Sequence, residues 1–180
     1  MDYYVLQVAP REEEKAETHM KEILTAKLCG SCFHPTRLIR KKFHGKWVEV
    51  HEKLLPGYVF VTTENAKELY VQLKKVPVLT KMLGRDEERF VRLSEREVRW
   101  LELLLQRCVS CGSSDSVNEV GLSQITIQEG NEVQIVSGPL ANLQGMVKKV
   151  NLHKRIAEVE VPFMNGKTVI HLGIEMVEQK

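Results

Sequence analysis

The chain has 180 residues and is short of several features that would declare a function at once. It has no apolar run near the roughly 18–20 residues that span a bilayer. Its start, "MDYYVLQVAPREEEK", passes from a short apolar segment straight into charge, unlike a secretory signal. These two absences lead us to expect a cytoplasmic protein with no membrane partner. The net charge is only +2, so global electrostatics does not announce a nucleic-acid binder. No Ser-His-Asp grammar, phosphate-cradling glycine loop or paired carboxylates stand out, so we expect no enzyme. There are no internal repeats.

Charge is patchy where the total is small. "RLIRKKFHGKW" (37–47) holds six basic residues, counting His44, and no acid. "KKVNLHKR" (148–155) holds four Lys or Arg, one His and no acid. Such runs are commonly solvated loop faces, yet clustered cations also suit phosphate. For residues 37–47 the sequence leans towards an exposed hairpin tip. Residues 129–180 contain six Lys or Arg and six Asp or Glu, so only spatial separation of the signs would create a basic face there.

Hydrophobic periodicity divides the chain. Residues 3–8 read as a buried strand. Residues 11–28 read as a helix, with Ala16, Met20, Ile23, Leu24 and Leu28 on one face. Residues 33–63 alternate as two or three antiparallel strands, with turns at Gly45 and Pro56-Gly57. Residues 64–75 form a short amphipathic helix with Ala66, Leu69, Tyr70 and Leu73 inward. Two edge segments follow, "VPVLTKML" and "RFVRL". Ser94 and Glu97 spell a capping box, opening a helix that carries Val98, Leu101, Leu104 and Leu105. Residues 107–124 lose periodicity and have linker composition. Beyond them come short strands at 132–137, 144–151, 156–162, 167–172 and 175–178. The fold expected is an α+β N-terminal domain (1–106), an antiparallel sheet with flanking helices. A flexible linker (107–124) leads to a small all-β SH3-like barrel (125–180). In "VSGPLANLQGMV", Gly138 and Gly145 are expected to free the backbone, with Leu140 and Leu143 as apolar plugs. Val133, Ile135, Val147 and Val150 supply inward faces, and Asn165-Gly166 a tight turn.

Four cysteines form two Cys-x-x-Cys pairs, Cys29/Cys32 and Cys108/Cys111. Four thiolates from two such pairs suit a structural zinc. The interval between the pairs is far longer than usual for one, so free thiols remain open, with disulfides last. A thioredoxin-type role would need the pair to open a helix, whereas Cys29 closes one. No other cofactor is expected.

"EGNEVQIVSGPLANLQGMVKKVN" resembles the KOW motif of the NusG family of transcription elongation factors. "YYVLQV", "KLLPGYVFV" and "VPVLTKMLG…VRLSEREV" resemble successive parts of that family's N-terminal (NGN) domain, so the likeness covers nearly the whole chain. It implies a monomeric, non-enzymatic factor that docks on the RNA polymerase clamp helices. The residues implied for docking are Tyr4, Leu6, Pro56, Gly57, Tyr58 and Phe60. "PFMNGKTVIHLGIEMVE" departs from the Phe-Gly-Arg turn of members that recruit ribosomal or termination partners. It is similar instead to the LoaP group of processive antiterminators, guided by an RNA hairpin in the leader of long operons. That likeness implies RNA contact through Lys148, Lys149, His153, Lys154, Arg155 and Lys167. The alternative it leaves is a housekeeping elongation factor whose KOW domain recruits proteins. A ribosome-associated module would not need the polymerase-type N-terminal half.

Overall fold

A computed structural model describes residues 1–79, 90–105, 118–130 and 132–178. The chain divides into two compact units, Met1–His34 with Leu55–Glu95, and Pro35–Leu54 with Arg96–Lys180.

The first unit is a mixed α/β layer. Its antiparallel sheet joins β1 (Asp2–Gln7), β2 (Ser31–Phe33), β5 (Tyr58–Thr63) and β6 (Phe90–Arg92) in the order β2-β5-β1-β6. Helix α1 (Glu13–Ile23) buries Ala16 and Met20, four residues apart on one face. Glu13 and Glu14 in its first turn and Lys21 in its last complement the helix dipole. It ends short of the expected Leu28 because Leu24 adopts extended backbone. A separate turn follows, in which the Leu28 and Cys29 amides donate to the Thr25 carbonyl. Ile23, expected inward, is exposed. Helix α2 (Ala66–Leu73) opens on Asn65, whose side chain accepts from the Glu68 amide and donates to its carboxylate. That reciprocal cap fixes the start of the helix. Leu69 and Leu73 then join Leu6, Val8, Ala16, Met20, Val59 and Val61 in one core.

The second unit gathers segments far apart in sequence. Strands β3 (Thr36–Phe43) and β4 (Lys46–Lys53) form a hairpin whose tip residues, His44 and Gly45, both have positive φ (46° and 81°). This pairing of left-handed residues matches the twist of two-residue hairpins. Strand β7 (Glu119–Val120) pairs in parallel with β3. A five-stranded half-barrel of order β10-β11-β12-β8-β9 completes the unit. Its strands are β8 (Ser123–Ile127), β9 (Val133–Ser137), β10 (Val147–Asn151), β11 (Ile156–Phe163) and β12 (Gly166–Met176). Strand β12 runs unbroken through the two segments expected at 167–172 and 175–178. Strand β8 was not among the strands expected, which began at 132, and it starts inside the linker-like stretch.

The Gly138-Pro139 step has two causes. Gly138 has φ +92°, and a Cβ there would lie 2.7 Å from Ser123 Cα and 2.8 Å from the Leu122 carbonyl. Pro139 opens 3-10 turns over Pro139–Met146, which push Leu140 and Leu143 into the core as expected. The Leu140 amide donates to the buried Ser123 hydroxyl at 3.0 Å. Gly145 has open space around it, so it is not a steric requirement. The core is built from Ile125, Ala157, Val159, Val161, Ile170, Leu172 and Ile174. Val133, Ile135, Val147 and Val150, expected inward, are only half-buried. The β11–β12 turn centres on Met164 and Asn165, both at positive φ, one residue before the turn expected.

Packing places the β3–β4 hairpin with the C-terminal strands, whereas the sequence reading put it in 1–106. Gly173 of β12 explains how. A Cβ at Gly173 would meet the Leu38 carbonyl oxygen at 2.3 Å and Ile39 Cα at 3.0 Å. Only hydrogen fits between these backbones. Arg37 Nη1 also donates to the His171 carbonyl at 2.7 Å, and Arg40 pairs with Glu175 at 2.6 Å. Helix α3 (Glu95–Leu105) joins by Trp100, whose indole N–H donates to the Pro162 carbonyl at 2.8 Å and whose ring meets Phe163 edge-on. Residues 80–89, which include part of the first expected edge segment, and residues 106–117 lie outside the described residues.

We expect Gly173→Ala to destabilise the protein by about 1–3 kcal/mol, the usual cost of forcing extra volume into packed structure. Urea unfolding measures it; an unchanged midpoint would mean that β3 and β12 separate freely.

Candidate partner-binding surfaces

Strand register decides which docking candidates act together. On neighbouring antiparallel strands, residues directly opposite each other share a sheet face. Leu6 lies opposite Val59 and Tyr4 opposite Val61, whereas Tyr58 lies opposite Gln7 and Phe60 opposite Val5. The four strand residues among the six candidates therefore divide between two faces. Tyr4 and Leu6 belong to the face under α1 and α2, where Leu6 is fully buried. Phe60 is fully buried on the other face, stacked on Phe33 at 5.5 Å. Pro56 is exposed, and Tyr4 and Tyr58 are half-buried. At the rim Tyr4 stacks on Phe90 (4.8 Å) and Phe90 on Tyr70 (5.6 Å), with Lys74 over the Tyr70 ring. Phe90 and Tyr70 were not among the sequence candidates; three aromatics dispersed over three elements leave no local signal.

The Pro56-Gly57 turn is held from both sides. Gly57 has φ +85°, its carbonyl accepts from the Val8 amide at 2.8 Å, and its amide donates to Glu13 Oε1 at 2.6 Å. Glu13 is fully buried, an acid in the core of a helix face where its neighbours are apolar. Sequence reading passed over it because glutamate in a first turn looks like dipole complement alone.

Of the cysteines, Cys29 is half-buried and Cys32 is buried. They line a cavity of about 330 Å³ together with Met20, Lys21, Leu24, Ala26, Gly30 and Ser31. Burial pushes both thiols up, so they stay protonated near neutrality. Cys108 and Cys111 lie outside the described residues, among which no three metal-ligating side chains gather. Beside the cavity Glu17 accepts from the His34 amide at 3.0 Å, faces His34 Nδ1, and pairs with Lys21. Burial pushes the Glu17 carboxyl up, but His34 and Lys21 outweigh it and hold it below its ordinary value.

The RNA candidates divide as well. Lys148 and Lys167 both reach Glu160, at 3.6 and 3.0 Å. Lys167 leads in holding the Glu160 carboxyl below its ordinary value, with Lys148 helping against desolvation. Lys149, His153 and Lys154 are exposed and form no ion pair among the described residues. The turn at 152–155 is shaped by the Lys154 amide donating to Asn151 Oδ1 and by the left-handed backbone of Arg155. The Arg155 guanidinium lies over the Trp47 ring, 5.0 Å from its centroid. The two basic runs, separate in sequence, thus meet at that pair.

With this architecture in place the chain is a two-part protein, a mixed α/β unit and a β half-barrel, with partly exposed aromatics and cations on its surface. A family model described as "Transcription termination factor nusG" matches residues 1–102, and one described as "KOW motif" matches residues 129–161. The chain belongs to the NusG family. It is 25% identical over 187 residues to the transcription termination/antitermination protein NusG of Thermus thermophilus, covering 98% of this chain and 97% of that one. It is 25% identical over 181 residues to the protein of the same name from Pasteurella multocida, covering 98% and 94%. A solved structure titled "Domain interaction in Thermotoga maritima NusG" shares the fold with a TM-score of 0.54 at 22% identity, covering 96% and 93% of the two chains. No helix among the described residues is long and apolar enough to cross a membrane.

Two substitutions check the first unit. Glu13→Ala leaves the Gly57 amide buried without this acceptor and should cost about 1–3 kcal/mol in urea unfolding; no loss would show the turn to be self-supporting. The folded Glu17 carboxyl titrates below its unfolded value, so its contribution is present above the unfolded value and lost as pH falls through the folded one. The stability gap between the wild type and Glu17→Gln should be open at neutral pH and close below pH 4.5. A gap that ignores pH would remove the His34–Glu17–Lys21 cluster from the account.

Proposed function

We propose that the protein is a transcription elongation and antitermination factor that docks on RNA polymerase through its first unit and contacts leader RNA through its half-barrel. The relatives' name, termination/antitermination protein, supports the general reading. The docking edge is the Pro56-Gly57-Tyr58 turn; the Tyr4–Phe90–Tyr70 stack lies on the opposite face of the sheet. Partly exposed aromatics on a rigid turn are the usual anchors of protein interfaces. Leu6 and Phe60 are fully buried and support that edge from inside the sheet.

The observation that carries the RNA reading is the turn at 152–155. It exposes His153 and Lys154, which have no carboxylate partners among the described residues, and sets Arg155 on an aromatic ring. Few cations in a small area fit phosphate and shape recognition of a folded RNA better than a base-reading code. Lys149 adds to this group, and Lys148 and Lys167 do so on release from Glu160. The specialised antiterminator reading also draws on the replaced turn: Phe163 is buried against Trp100, with Met164 and Asn165 at the apex. The relatives' shared name favours the housekeeping alternative, in which the half-barrel recruits proteins.

The test is single-round transcription with the cognate polymerase through a terminator placed after the leader of the operon that carries this gene. Read-through should rise several-fold with the full-length protein, and only when the leader hairpin is encoded. A rise that ignores the hairpin would establish the housekeeping alternative. No effect on elongation or read-through would overturn both.

A further inference from the structure

The tip of the β3–β4 hairpin has more exposed aromatic surface than its own packing needs. Phe43 is 51% exposed and Trp47 37%. By register Lys42 lies opposite Trp47 and Phe43 opposite Lys46, so each ring has a lysine beside it on its own face. Further down the stem Arg37 and Lys41 are held by Glu52, and Arg40 by Glu49 and Glu175. Lys42 and Lys46 form no ion pair among the described residues. The half-barrel turn meets this tip where Arg155 covers one part of the Trp47 ring, bringing His153 and Lys154 with it. Aromatic faces interleaved with unpaired cations are the composition of a surface for unpaired nucleotides. Bases stack on the rings and phosphates meet the lysines.

We infer that the hairpin tip and the 152–155 turn form one composite site for single-stranded RNA, with Trp47 as the stacking platform and Lys42, on its own face, with Lys154 and Arg155 along the phosphate track. The inference rests on the RNA reading above and extends it from the half-barrel to a hairpin that the sequence assigned elsewhere. Arg155 has two roles: it orients the indole, and it offers guanidinium hydrogens to a phosphate at the ring edge. The two-residue left-handed tip at His44-Gly45 holds Lys42, Phe43, Lys46 and Trp47 in fixed register, so little order has to be gained on binding.

The experiment is fluorescence anisotropy of labelled oligouridylate with the full-length protein. Oligothymidylate of equal length and a blunt RNA duplex serve as comparisons. Oligouridylate should bind saturably and ahead of both. Trp47→Ala should weaken binding about 5- to 100-fold, the range of one lost base stack, and Trp47→Phe should restore most of it. Lys42→Ala should lower the salt slope by about 0.7, the share of one phosphate contact removed. Bound RNA should quench tryptophan emission in the wild type and not in Trp47→Phe, since the remaining indole, Trp100, is buried. If Trp47→Ala fails to fold, Lys42→Glu alters only an exposed tip residue and should abolish binding. Wild-type affinity in the tip variants, with loss in Lys149→Ala and Lys154→Ala, would overturn the composite site and leave RNA binding on the half-barrel. Preference for oligothymidylate would overturn the assignment to RNA. No binding of any RNA, hairpin included, would remove the underlying reading as well.

Discussion

The approach of one backbone to another at Gly173 organises the second unit. Strand β12 can lie under β3 only because nothing but hydrogen stands at Gly173, beneath the Leu38 carbonyl and Ile39 Cα. Once the backbones meet, short-range polar contacts follow. Arg37 reaches the His171 carbonyl and Arg40 reaches Glu175. Each contact spans well over a hundred residues, so the ordering cost of closing so long a loop is met once and shared by all of them. The hairpin is thereby fixed at its stem, and its tip is carried to the 152–155 turn. The Arg155–Trp47 contact depends on that fixed stem.

Such a junction was not legible in the sequence. Alternation identifies β3 and β4 as a hairpin, and turn chemistry identifies its tip. Neither says which sheet the hairpin will lie against, because that depends on one glycine 134 residues after Ile39. The linker-like stretch concealed the start of β8 for a related reason. "SQITI" pairs in parallel with β12, and a short, half-polar strand of this kind acquires its identity from its neighbour. Local signals did better where local chemistry decides. Gly138-Pro139 marked a backbone needing conformational freedom, and Leu140 and Leu143 were recognisable as plugs.

The docking residues show the limit of reading strands by composition. "YYVLQV" and "YVFVTT" are apolar on both sides, as expected for strands covered on two faces. Both faces then look equally suitable for a partner. Only the register, Leu6 against Val59 and Val5 against Phe60, reveals that Tyr4 and Leu6 cannot share a surface with Tyr58 and Phe60. The edge left for a partner is narrower, and Glu13 rather than any exposed residue maintains its geometry. A buried carboxylate that accepts from a glycine amide holds a turn that has no strand partner of its own on that side. The functional edge and the folding core are therefore joined through one side chain.

Net charge is a poor guide to this molecule because the carboxylates are not spread evenly. Glu49, Glu52 and Glu175 all lie along the hairpin stem, where they hold Arg37, Arg40 and Lys41. Glu160 holds Lys148 and Lys167 on the half-barrel. Pairing at these places neutralises cations that a count would include as basic. The lysines that form no ion pair among the described residues, Lys42, Lys46, Lys149 and Lys154, come from both basic runs, and the Arg155–Trp47 contact joins those runs in space. Exposed ion pairs contribute little to stability, so the stem network matters chiefly by directing where positive potential is left over. A chain of nearly balanced charge can in this way present a local cationic surface. The balance is set by which glutamates the hairpin brings within reach, and hence by the same glycine that lets it lie on β12.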